Sequence, residues 1–180
     1  MSSTILGIIA SSGAAAGAAN SYESISTVTV GAGGSASVSF TSIPATYTHL
    51  QIRGIGLITS AGGFTVQFNS DTSSNYSWHQ LYGEGSIAQS NSGATQTFMY
   101  MAYGGGSTTA PNALVTDVLD YANTNKYKTI RSLSGNDLNG SGGIQFWSGN
   151  WRSTSAITSI TVTASFNQYS QLALYGIKGS

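Results

Sequence analysis

The chain has 180 residues with six basic and six acidic side chains, so its formal net charge is zero and only 7% of it is charged. That length holds one hydrophobic core, and the missing basic excess excludes nucleic-acid binding through backbone phosphates. With no cysteine there is no disulfide framework, thiolate zinc site or cysteine nucleophile, and nothing beyond the first twenty positions approaches the ~20 apolar residues of a membrane-crossing helix.

Residues 1–21 read as an arm. Ile5, Leu6, Ile8 and Ile9 form a short apolar patch, and a Ser/Gly/Ala tract follows up to Asn20. A secretory signal would open with basic residues, and no Lys or Arg precedes Arg53. The expected use of the arm is anchorage: a tethered apolar peptide adds to a sheet edge or fills a groove on a partner.

From Tyr22 onward the pattern is strand and turn. Ile25–Val30 is almost wholly β-branched, Gly31–Gly34 is a turn, and Ala36, Val38 and Phe40 alternate with serines. Pro44 stops that strand. His49–Ile58, Phe64–Phe68, Tyr76–Tyr82, Thr95–Tyr103, Ala113–Tyr121, Lys126–Leu133, Ile144–Trp151, Ile157–Ala164 and Gln171–Ile177 complete the series. Roughly ten short strands with Gly-rich turns and no sustained helix predict an all-β domain over 22–180, a single β-sandwich of jelly-roll type behind an extended N-terminal arm.

Chemistry is sparse along this chain. Gly31-Ala-Gly33-Gly-Ser-Ala36 has glycines at a loose dinucleotide spacing, but a strand follows where a helix N-terminus would have to receive the pyrophosphate. His49 and His79 are the only histidines, and the six acids are scattered. Asn69–Ser73 and Asn136–Gly140 each offer a hard cation one carboxylate, against the six to eight oxygens calcium takes. Asn, Asp and Gly also suit tight turns. We therefore expect no enzyme, cofactor or metal. The aromatic stripes carry more information. Tyr76, Trp78 and Tyr82 share one strand face, and Trp147 and Trp151 share another. Buried, they fill the core or a subunit interface; exposed, they would stack on sugar rings.

Several stretches resemble a family of tailed-bacteriophage virion structural proteins. They are Ile5-Leu-Gly-Ile-Ile-Ala-Ser-Ser12, Ser21-Tyr-Glu-Ser-Ile25 running into Thr27-Val-Thr-Val30, and Ser42-Ile-Pro-Ala-Thr-Tyr-Thr-His-Leu-Gln-Ile-Arg-Gly54. Asp120-Tyr-Ala-Asn-Thr-Asn-Lys-Tyr-Lys-Thr129 and Leu174-Tyr-Gly-Ile-Lys-Gly179 continue the pattern over nearly the whole chain. The resemblance implies a β-sandwich unit displayed on a phage particle. It does not distinguish capsid from tail; low charge, the N-terminal arm and a length suited to one jelly roll favour, first, a capsid decoration (cement) protein that binds the major capsid protein on the outer shell. The alternative is a receptor- or glycan-binding domain of a tail fibre or spike. Near-absent charge leaves nothing to repel neighbouring copies, and a homotrimer is the expected working state, with neither nucleic acid nor membrane as a partner.

Overall fold

A computed structural model describes residues 21–179. Twelve strands follow in chain order: β1 (Tyr22–Thr29), β2 (Ser35–Phe40), β3 (His49–Ile58), β4 (Gly62–Phe68), β5 (Tyr76–Gly83), β6 (Ala88–Gln96), β7 (Met99–Gly104), β8 (Ser107–Leu119), β9 (Lys128–Asp137), β10 (Gly142–Trp151), β11 (Ile160–Phe166) and β12 (Gln171–Ile177). Every pairing between them is antiparallel.

The expected jelly-roll sandwich is overturned. Hydrogen-bonded ladders join all twelve strands into one sheet, in the order β6-β5-β10-β9-β8-β3-β11-β4-β7, with β12 and β1 branching from β3 and β2 from β11. The sheet curls into a nearly closed antiparallel barrel instead of splitting into two. Strand β3 makes the corner. It pairs with β8 and β12 over most of its length, and its last residue, Ile58, pairs with Phe166 of β11. The register against β8 shifts between Gly56 and Ile58, and such a bulge bends a strand and increases its twist. Gly56 is required there, because a Cβ would lie 2.4 Å from the Phe64 ring. A periodicity of two shows where strands run, but it does not show that one of them carries the sheet around a corner.

The barrel is closed across β7, whose free edge is met by side chains instead of a ladder. The Gln145 amide of β10 accepts from the Tyr103 backbone N–H at 2.8 Å and donates to the Tyr103 carbonyl at 2.7 Å. Ser132 Oγ of β9 donates to the Met101 carbonyl at 2.6 Å. Inside lies one apolar core, with Phe40, Leu50, Ile52, Phe64, Phe68, Met99, Met101, Ile130 and Leu174 almost entirely buried. The stretch Ala113–Tyr121 is strand through Leu119, as its sequence suggests, but β8 begins earlier, at Ser107. Its Pro111 falls in the unpaired stretch opposite the β3 bulge, where the missing N–H costs no ladder bond.

Candidate functional site

The aromatic residues singled out from the sequence line the interior. Tyr76, Trp78, Trp147 and Trp151 are all buried. Trp78 meets Trp147 and Tyr100 edge-on, at ring-centroid distances of 5.6 and 5.1 Å, and Trp151 stacks on Tyr76. Tyr82 is half-buried and donates to Gln89 Oε1 at 2.7 Å. Tyr76, Trp78, Trp147 and Trp151 are therefore buried inside and offer no stacking platform to a sugar, while the Tyr82 ring is only half-buried. Ile5, Leu6, Ile8 and Ile9 lie outside the described residues.

The outward face of the long wall carries what those rings do not. The registers align Leu81 of β5 with Phe146 of β10, Phe146 with Leu133 of β9, Leu133 with Val115 of β8, and Val115 with Arg53 of β3. Four apolar side chains thus stand shoulder to shoulder across four strands, with exposures of 56% (Leu81), 55% (Phe146), 44% (Leu133) and 39% (Val115). Two rows over, Ile144 and Ile55 extend the same surface. On the other side runs a polar row: His79, Ser148, Arg131, Asp117 and Gln51, again in cross-strand register. The row Leu81, Phe146, Leu133 and Val115, the neighbouring His79, Ser148, Arg131 and Asp117, and Ser90, Asn91 and Ser92 of β6 line an open groove of about 1040 Å³.

This surface comes from an inversion of the usual pattern. At two neighbouring positions of β8 and β9 a polar residue points inward and an apolar one outward: Thr116 and Ser132 are buried, while Val115 and Leu133 face solvent. The buried hydroxyls are satisfied, since Thr116 Oγ1 and Ser132 Oγ lie 2.7 Å apart and Ser132 also reaches the Met101 carbonyl. Nothing in the sequence marks Leu81, Val115, Leu133 and Phe146 as a shared surface. A signal within one strand is present at Ile144-Gln-Phe146-Trp147, where both alternating sets contain large apolar residues, as strands covered on both faces do.

At the β1 end of the same face a polar network holds the chain entry. Tyr22 Oη donates to Gln51 Oε1 at 2.6 Å, Arg53 Nε donates to the same oxygen at 2.7 Å, and Gln51 Nε2 donates to Asp117 Oδ1 at 2.7 Å. The Arg53 guanidinium covers the Tyr22 ring, which stacks on Tyr175. Arg131, across the ladder from Asp117, makes no ion pair among the described residues.

The remaining candidate groups serve the fold. His49 Nδ1 accepts the Asp120 backbone N–H at 3.0 Å, and Asp120 also pairs with Lys126. The Lys128 ammonium is buried on the carbonyls of Asn123, Lys126 and Thr154. Burial, and after it the charge of Lys126, pulls its pKa below the ordinary lysine value. Asp71 receives N–H groups from Trp151 at 2.7 Å, Ser73 at 2.8 Å and Asn75 at 3.1 Å. Burial opposes its charge, but these bonds prevail and hold its pKa at about 2. In the other loop Asp137 accepts from the Gly140 N–H. Asn69, Ser70, Asn139 and Gly140 all have positive φ, which is the turn geometry that accounts for their residue types. Among the described residues no three of His, Cys, Asp and Glu come together as a metal set would require.

No protein-family model matches the chain, and none of the curated proteins matches its sequence.

Proposed function

We propose that the protein is a structural module of a tailed-phage particle, a capsid decoration protein that docks on the shell through the groove of β5, β10, β9 and β8. The observation that carries this reading is the row Leu81–Phe146–Leu133–Val115, held half-exposed on an outward sheet face. Contiguous exposed apolar surface on a charge-poor protein favours association, and an apolar centre with a polar rim is the anatomy of a protein interface. His79, Asn91, Asp117 and Arg131 supply that rim. The particle context comes from the sequence resemblance, and the low charge and apolar docking row favour the major capsid protein as the partner. A homotrimer suits the same context, because three copies around a threefold axis form a closed interface. A tail-fibre domain that binds glycan is the weaker reading. Saccharide hydroxyls set against Leu81, Leu133 and Val115 would lose water without gaining partners, at about 1–3 kcal/mol for each unsatisfied group.

The test is co-sedimentation of the protein with particles lacking it. The double variant Phe146→Ser, Leu133→Ser should keep the circular dichroism of the parent, because neither side chain belongs to the core. It should lose at least about tenfold in particle binding, on the order of 1.4 kcal/mol. Binding at the parental level with the fold intact would overturn the reading.

A further inference from the structure

We propose that the same groove receives the chain's own N-terminal segment, Ile5–Ala10, so that in the free protein the arm covers the docking face and is displaced when the protein docks. This rests on the groove being a docking face, though not on which shell protein occupies it.

Three observations support the assignment. First, the chain enters the barrel on the right face. Tyr22 lies beneath Arg53 and beside Gln51, and both belong to the outward surface that carries the groove.

Second, the distance is short. From β1 the sheet runs through β12, β3, β8 and β9 to β10. Five strand spacings of about 4.8 Å put the groove roughly 25 Å from Tyr22. The fifteen or so residues between Gly7 and Tyr22 span up to about 50 Å when extended, so the Ser/Gly/Ala tract reaches with slack. Within one chain, a tether that spans its site supplies an effective concentration of order millimolar, which favours the chain's own arm over a neighbour's.

Third, the chemistry matches. Residues 1–20 contain no charged side chain, so no charge in the segment opposes burial on Leu81, Phe146, Leu133 and Val115. In an extended peptide Leu6 and Ile8 fall on one side and can meet that row together. The arm then stands in for an apolar element of the shell protein, and the exposed patch stays covered until assembly.

The absence of cysteine makes a direct test clean. Full-length protein carrying Gly7→Cys and Ser148→Cys keeps every apolar residue of arm and groove, and Ser148 lines the groove. A second variant pairs Gly7→Cys with Ser37→Cys, at an exposed position on β2 outside the groove. Under mild oxidation at micromolar protein the first variant should form a disulfide within one chain. Seen as a mobility shift on a non-reducing gel, it should form at least about tenfold faster than in the second. Equal rates in the two variants, no cross-link, or cross-links only between chains would each overturn the proposal. Particle binding by the locked protein is a separate readout. Loss on oxidation with recovery on reduction supports displacement at docking. A locked protein that still co-sediments overturns the docking reading while leaving the arm's placement standing.

Discussion

Gln145 shows how a single side chain can replace a strand. Its amide offers the Tyr103 backbone one acceptor and one donor, as a neighbouring strand would, and its Oε1 also takes the Trp147 indole N–H at 3.1 Å. Replacing it by leucine conserves volume but strands three polar groups in a region with little water. Gln145→Leu should therefore cost about 2–4 kcal/mol, read as a lower urea midpoint at unchanged slope. A loss below about 1 kcal/mol would mean that β7 is held by its apolar contacts alone. Asp71 makes a second prediction at this scale. Its carboxyl pKa falls from the ordinary 3.8 to about 2 in the folded protein, so the folded state favours the ionised form. That stabilisation is full above about pH 4 and is lost as the pH falls through 2. The stability gap between the parent and Asp71→Asn should therefore be constant from pH 7 to about pH 4 and close towards pH 2. A gap independent of pH over that interval would show that the carboxylate's bonds do not act through its charge.

Among the elements, β3 and β12 are legible to the residue, because His49–Ile58 places isoleucines and leucines among polar residues and Gln171–Ile177 places Leu172 and Leu174 on one face and ends before a Lys-Gly boundary. Strand β6 is not. Ala88-Gln-Ser-Asn-Ser-Gly-Ala-Thr-Gln96 is polar throughout and almost wholly exposed, so it has no buried face whose period could announce it. It exists because β5 offers an edge, and the strand expected over Thr95–Tyr103 is in fact the end of β6 followed by β7. What fixes β6 is Gly93, which sits opposite Trp78 in the ladder. A Cβ there would lie 2.6 Å from the indole, and Trp147 and Tyr100 leave that ring nowhere to go. Gly93→Ala should accordingly lift β6 from the wall and cost about 1–3 kcal/mol. Hydrogen exchange should then speed up along 88–96 and on the facing amides of β5, with β8 and β9 unchanged. Uniform acceleration over the barrel would mean that β6 is part of the cooperative core.

On the scale of the whole molecule, low charge was the most informative feature of the sequence, and it bears on both folding and docking. The site was less legible than the strands. Tyr76, Trp78, Trp147 and Trp151 are buried inside, whereas the proposed docking row includes Leu133 and Val115, whose outward direction depends on Thr116 and Ser132 finding partners inside. Single-strand periodicity cannot supply that information, since it is settled across β7, β8 and β9 together. Two lysine–carboxylate ion pairs lie among the described residues, Lys178–Glu23 and Lys126–Asp120, each between partly exposed side chains. Pairs between exposed groups add little to stability and are screened by salt. Apolar burial is not screened. Raising sodium chloride from about 0.05 to 1 M, where the Debye length shrinks to about 3 Å, should thus move the melting temperature by less than about 5 °C. Particle binding through Leu81, Phe146, Leu133 and Val115 should survive the same change. If binding were instead lost in high salt while the fold held, the contact would be carried by the charged rim, Arg131 and Asp117. The apolar row would then be a neighbour of the interface and not its centre.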